Sequence, residues 1–180
     1  MSGARPQLVL ERLHERHCGL TAALGEALAE AAAVCLDRHH ASPVEINISW
    51  TSGTSVRVVE FAKPDQRTLN AWANEIDTTE NGAYALSLSA VEAEEGLVAV
   101  RRAETLTGAD WYVAPAGVSP EDLEDCYRLE VSGIDGGGRA AVDARLHQKI
   151  AQTKRGASNL PAIASVVGFK ERAILIQKVI

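Results

Sequence analysis

The chain has 180 residues and a formal net charge of −6; 46% of it is hydrophobic, 23% charged and 4% aromatic. Such a composition supplies a sizeable core and excludes wholesale disorder, while so few aromatics argue against an aromatic-lined platform for sugars or single-stranded nucleic acid. The charge excludes a chain that is basic throughout, yet its halves differ: residues 1–95 hold seven Lys/Arg against fourteen Asp/Glu, and residues 96–180 eleven against ten.

In chain order, residues 7–18 and 20–39 read as helices broken or bent near Gly19, the second rich in Ala and Leu and stopped by Pro43. VEINISW (44–50) and SVRVVEFA (55–62) alternate and are β-branched, with TSGT between them as the turn of a hairpin. A short helix follows Pro64, around Asp65 to Asn74, with Leu69 and Trp72 on one face. Asp77 or Thr78 can cap the next helix, with Glu80 placed three residues after Asp77 as in a capping box. Tyr84, Leu88 and Val91 then recur at helical spacing until Gly96. GLVAVRRAE (96–104), ADWYVAP (109–115) and YRLEVSGI (127–134) are strand-like, and Gly136, Gly137 and Gly138 lead into a basic helix at 139–155. AIASVVGF (162–169) and AILIQKVI (173–180) complete the set. The expected fold is therefore α/β (α+β): an α-β-β-β-α-β-β core at 77–180, its mixed sheet flanked by helices. An α-α-β-β-α extension, residues 1–76, packs on that core.

No apolar run approaches the roughly 20 residues of a membrane helix, and the N-terminus shows no apolar signal core. Cys18, Cys35 and Cys126 contain no CxxC pair, which predicts reduced thiols and a cytoplasmic setting. His14 with Cys18, and Cys35 with His39, sit at i,i+4 spacing. A helical hairpin turning at Gly19 would hold the two pairs roughly 22 Å apart at about 1.5 Å per residue, so no zinc is expected. DGGGR (135–139) lacks the phosphate-loop and dinucleotide patterns and reads as a strand-to-helix connection. Ser132 with His147 lacks the nucleophile elbow of a hydrolase.

The strongest constellation is oxygen-rich. Asp110 begins one strand and Glu130 lies in the next, with Ser132 on the same face as Glu130. Two such carboxylates suit one hard cation, Mg²⁺ or Mn²⁺. Arg139, Arg145, Lys149, Lys154 and Arg155 face only Asp143 in the basic helix, which is either a solvated face or a phosphate-attracting one.

On these residues the chain resembles the PD-(D/E)xK nuclease superfamily, the restriction-endonuclease-like fold, over residues 77–169. GADWYVAP would supply the family's Asp as Asp110, and LEVSGI its Glu-x-Lys tripeptide as Glu130, Val131 and Ser132. The resemblance adds Glu80 on the first core helix as a third metal ligand, and Lys149 and Gln152 on the second as helpers. Serine stands where the family has its lysine, so either Lys149 reaches the site or the fold persists without cleavage as a binding or protein-interaction module. The resemblance implies DNA or RNA as partner, with Arg139, Arg145, Lys154 and Arg155 on the phosphate backbone, and allows a homodimer through the N-terminal helices. Glu80 keeps two readings here, cap or ligand.

Overall fold

Pairing along the chain joins seven strands, among the residues described, into one mixed sheet; the computed structural model describes residues 5–119, 121–155 and 158–179. β1 (Val44–Trp50) and β2 (Gly53–Val59) are the expected hairpin, closed at Trp50 and Gly53. β3 (Leu97–Arg102), β4 (Trp111–Pro115) and β5 (Tyr127–Ile134) form an antiparallel meander. β6 (Ala162–Gly168) runs parallel to β5, and β7 (Ala173–Val179) returns antiparallel to β6. Because β7 also pairs in parallel with β1, the N-terminal hairpin continues the same sheet, in the order β2-β1-β7-β6-β5-β4-β3. Residues 1–4 of the N-terminal reading and residue 180 of the last expected strand lie outside the described residues.

The described helices are α1 (Leu13–Arg16), α2 (Ala22–Asp37), α3 (Gln66–Ala71), α4 (Glu75–Glu95) and α5 (Arg139–Lys154). α4 and α5 lie on opposite faces of the sheet. Ser165 of β6 hydrogen-bonds Ser87 of α4 at 2.7 Å, whereas its neighbour Val166 packs with Val142 of α5, and successive strand residues point to opposite faces. All seven residues of β6 are consequently buried. Tyr84, Leu86, Leu88 and Val91 carry α4 into the core, each worth about 1.5–3 kcal/mol of apolar burial.

Two expectations are corrected. Residues 7–12 are not helical: Leu8 N–H donates to Val58 O at 2.9 Å and Val58 N–H to Pro6 O at 3.0 Å, so the segment is drawn against the free edge of β2. Leu8 and Leu10 turn inward and Val9 outward, a period of two within a stretch too short to separate from a helix by its local pattern. The helix that follows is the single turn α1. The α4 cap is also different: Asn74, not Asp77 or Thr78, accepts from Ile76 N–H at 3.1 Å and Asp77 N–H at 3.2 Å. The helix starts earlier than its apolar repeat, and Thr78 donates back to Asn74 O at 2.6 Å. Glu80 thus sits a full turn in, clear of any capping box.

The break at Gly19 has a steric cause. Its N–H donates to Ala99 O at 2.9 Å, and a Cβ there would lie 2.6 Å from the Val100 carbonyl carbon. Next to it, buried His17 accepts Ala99 N–H on Nδ1 at 2.9 Å and meets Glu92 with Nε2 at 3.1 Å, an arrangement that fixes the neutral Nε2–H tautomer. α2 lays Ala31–Leu36 against the interior and packs chiefly on α4 of its own chain.

Gly133 sets how near α4 comes to β5. A Cβ at that position would lie 2.7 Å from Thr79 O and 2.8 Å from Thr79 Cγ2. Gly133→Ala is therefore expected to destabilise the protein by about 1–3 kcal/mol, the range for overpacking, measured by urea denaturation. An unchanged midpoint would refute the close-approach argument.

Candidate active site

One end of the sheet opens where β4 and β5 part. β4 begins at Trp111, opposite Leu129, so the residues of β5 beyond Leu129 lose that neighbour. Asp110, just before β4, fills the gap: its N–H donates to Leu129 O at 2.8 Å, and its Oδ2 accepts Val131 N–H at 2.8 Å. A ladder bond lost to strand divergence is replaced by a carboxylate, which holds Asp110 in place. Glu130 points to the α5 face of β5, only 6% exposed, and accepts from Lys149 Nζ at 2.6 Å. Ser132 points the same way, and its Oγ accepts from Arg145 Nη1 at 2.9 Å.

Arg145, Lys149 and Gln152 stand at i, i+4 and i+7 on α5 and form one stripe toward the opening. Lys149 therefore reaches Glu130 from the second core helix, while Ser132 is held by a different cation. The basic helix is not a single phosphate-facing surface, however. Arg139 pairs with Asp143 at 3.1 Å, and Lys154 lines a separate cleft beside Arg128 and Leu160. A repeat of 3.6 residues spreads these cations around the helix, and only part of the set faces the carboxylates.

Tyr84 ties the third carboxylate in. Its hydroxyl lies 2.6 Å from Glu80 Oε1 and 2.9 Å from Asp110 Oδ1, one proton serving two acceptors, and it accepts from Arg102 Nη2 at 3.1 Å. Burial, followed by the Asp110 charge and the Glu80 bond, pushes the Tyr84 pKa far up, so the group stays a neutral donor. Arg102 lies over the rings of Tyr84 and Trp111, 4.6 and 4.9 Å from their centroids, and 3.9 Å from Asp110 Oδ1. The sequence reading missed Tyr84 and Arg102 as site residues. Tyr84 had a usable signal, its i+4 spacing from Glu80; Arg102 had only its place at the end of an apolar strand.

The Glu130 pKa is raised, first by burial; the Lys149 hydrogen bond opposes this, the Asp110 charge adds to it, and the Lys149 and Arg102 charges lower it. The Asp110 charge thus repels that of Glu130, a repulsion that a bound cation would relieve. No group of three or more His, Cys, Asp or Glu arranged to hold a metal ion occurs among the described residues. Two carboxylates suffice for Mg²⁺, which keeps most of its waters and takes its remaining oxygens from a phosphate. Each carboxylate oxygen already engaged retains a second lone pair. These oxygen donors have the chemistry that Mg²⁺ or Mn²⁺ takes; Asp110 and Glu130 would hold such an ion, with Glu80 held beside Asp110 through Tyr84.

The other constellations do not converge. Cys35 is buried, its thiol donates to Thr78 O at 3.4 Å, and burial pushes its pKa up to about 12, while Cys18 is exposed. His147 hydrogen-bonds Asp143 O at 2.8 Å rather than Ser132. Gly138 serves as the N-cap of α5 without a side-chain bond.

Fold and site together define a mixed α/β protein with a cluster of carboxylates, one lysine and two arginines where its sheet splits. No protein-family model, curated protein or solved structure matches the chain. Among the described residues no helix is long and apolar enough to cross a membrane.

Proposed function

We propose that the protein is a metal-dependent nuclease of restriction-endonuclease-like topology that hydrolyses phosphodiester bonds in DNA or RNA. The observation that carries this reading is the ammonium of Lys149 at 2.6 Å from Glu130, beside an Asp110 fixed by Val131 N–H. That contact puts a cation next to the carboxylates although Ser132 occupies the tripeptide's lysine position. The order α4-β3-β4-β5-α5-β6 agrees with the same reading.

A Mg²⁺ on Asp110 and Glu130 would supply Lewis acidity at one phosphate oxygen. The protein's own groups do the rest. Lys149 opposes the burial that raises the Glu130 pKa and offers positive charge where the phosphate becomes more negative. Arg145, held on Ser132 Oγ at 2.9 Å, neutralises the phosphate as it enters. Tyr84 holds Glu80 and Asp110 at a fixed spacing and contributes no anion of its own. Hydrolysis then adds water's hydroxyl to phosphorus and its remaining proton to the leaving oxygen.

The test is cleavage of single- and double-stranded DNA and RNA with Mg²⁺ or Mn²⁺ by wild type, Asp110→Ala and Glu130→Ala. Wild type is expected to cut at least one substrate, and each variant to be slower by about 10²–10³-fold. Equal rates in all three would end the assignment. The hydroxyl of Ser132 bound to Arg145 favours a second reading, a cleavage-incompetent nucleic-acid-binding or interaction module on the same scaffold. Calorimetry with Mg²⁺ and Mn²⁺ separates the two: no metal heat, together with salt-dependent nucleic-acid binding, selects the module.

A further inference from the structure

Asp110 lies on the boundary between two clefts. One, of about 530 Å³, is lined by Glu80, Ser132, Arg145 and Lys149. The other, of about 680 Å³, shares Asp110 and is lined by Arg102, Leu106, Glu130, Gln152 and Arg155. Resting on the proposed function, we propose that this second cleft is a phosphate subsite. Arg102, Gln152 and Arg155 there take the phosphodiester adjoining the one at Asp110 and Glu130, so the substrate is a polynucleotide rather than a mononucleotide.

Three features carry the assignment. Arg102 is held over two aromatic rings yet remains 48% exposed at its side chain. One N–H is placed on Tyr84, and a guanidinium has five. A cation ordered in advance loses little freedom when it meets an anion. Second, Gln152 and Arg155 are exposed at the end of α5, and neither side chain has a hydrogen-bond or ion-pair partner among the described residues. A helix C-terminus alone would account for one basic residue there; it does not account for Arg102 arriving at the same cleft from β3. Third, the carboxylates around the cleft are largely matched: Glu104 by Arg101 and Glu130 by Lys149. Asp110 faces Arg102 at 3.9 Å, and Arg155 adds a second guanidinium to the cleft's lining, a balance that admits a monoanionic diester.

The cleft's outer wall is the turn between β3 and β4. Thr107 hydroxyl donates to Glu104 O at 2.8 Å, and the guanidinium of buried Arg128 donates to Thr107 O at 3.2 Å. A buried cation spent on two main-chain carbonyls, Thr107 and Leu160, makes this turn rigid. At its tip Leu106 is held at φ 72° with 93% of its surface exposed, a strained setting for a branched side chain. It places an apolar surface beside the cleft, suited to the sugar or base of the nucleotide whose phosphate the arginines hold.

The experiment is fluorescence anisotropy of the whole chain with labelled duplex and single-stranded DNA and RNA oligonucleotides, in Ca²⁺ and in EDTA, from about 50 to 200 mM salt. Arg155→Gln, at an exposed position, is compared with wild type and with Lys63→Gln, an exposed charge elsewhere. The expected result is that Arg155→Gln and Arg102→Gln each lower the slope of log K against log salt, and that the double variant lowers it by about 0.9 on duplex or 0.7 on single strands, the share of the one diester they hold. Lys63→Gln should keep the wild-type slope. A methylphosphonate at the phosphate next to the bound one should weaken wild type and leave the Arg102→Gln/Arg155→Gln double variant unchanged. If wild type binds but Arg155→Gln keeps its slope, or if Lys63→Gln falls equally, the subsite is refuted while the proposed function stands. If wild type binds no oligonucleotide in either buffer, both are refuted.

Discussion

Lys149→Met is expected to lower metal-dependent phosphodiester cleavage by about 10²–10³-fold, the usual cost of removing one preorganised charged donor from a reacting centre. The side chain is of similar length, and α5 is held by Val142 and Thr153, the residues it buries, so the helix should stay in place. Two losses combine. The ammonium that faces the phosphate disappears, and Glu130 loses the partner at 2.6 Å that opposes its burial. With burial and Asp110 already raising its pKa, Glu130 then takes up a proton more readily and becomes a poorer metal ligand. Only the second loss is reversible. Raising the pH should restore part of the variant's activity while the remainder stays missing. A variant within about threefold of wild type would show that Lys149 serves the fold alone.

Glu130→Gln should separate activity from stability. Cleavage is expected to fall by at least about 10²-fold, because a neutral amide oxygen holds a divalent cation far more weakly than a carboxylate does. Yet in metal-free buffer near neutral pH the variant's melting temperature should equal or exceed that of wild type. The raised pKa means that the charge on Glu130 is less favourable in the folded state than in the unfolded chain: burial outweighs the help from Lys149. A glutamine is uncharged at every pH, and its carbonyl oxygen can still accept from Lys149. The sign for wild type follows. Below the unfolded value, about 4.3, the proton on Glu130 contributes fully to stability. That contribution is lost as pH rises through the higher folded value. Metal-free wild type should therefore lose stability across that window relative to Glu130→Gln. A clearly lower melting temperature for the variant would mean that the Lys149 pair outweighs the burial penalty.

Most elements were legible because their signals are local. β1 and β5 carry the expected bounds, 44–50 and 127–134, since β-branched alternation and turn residues define them within a few positions. The segment at 7–12 was not legible, because its extended form depends on the free edge of β2, some 50 residues further along. Asp110 and Glu130 could be named from their strands, whereas Tyr84 read only as part of an apolar stripe. Its hydroxyl acquires a role only when α4 lies against the β4 start. The cations of α5 could be counted but not sorted, because their division among clefts depends on how the helix is rotated on the sheet.

The sequence by itself determined the order of helices and strands, the acidic first half and the basic helix that follows the Glu130 strand. Those are consequences of periodicity and composition, which act over a few neighbouring residues. Tertiary structure decided the site. Asp110 turns toward Val131 because strand divergence leaves that N–H without a ladder partner. α4 brings Glu80 and Tyr84 to Asp110 because Gly133 lets it approach β5. Lys149 meets Glu130 because α5 packs across the opposite face of β5, so an acid and a base 19 positions apart in the chain come within one hydrogen bond. Each of these depends on backbone groups and packing distances that no short window of sequence contains.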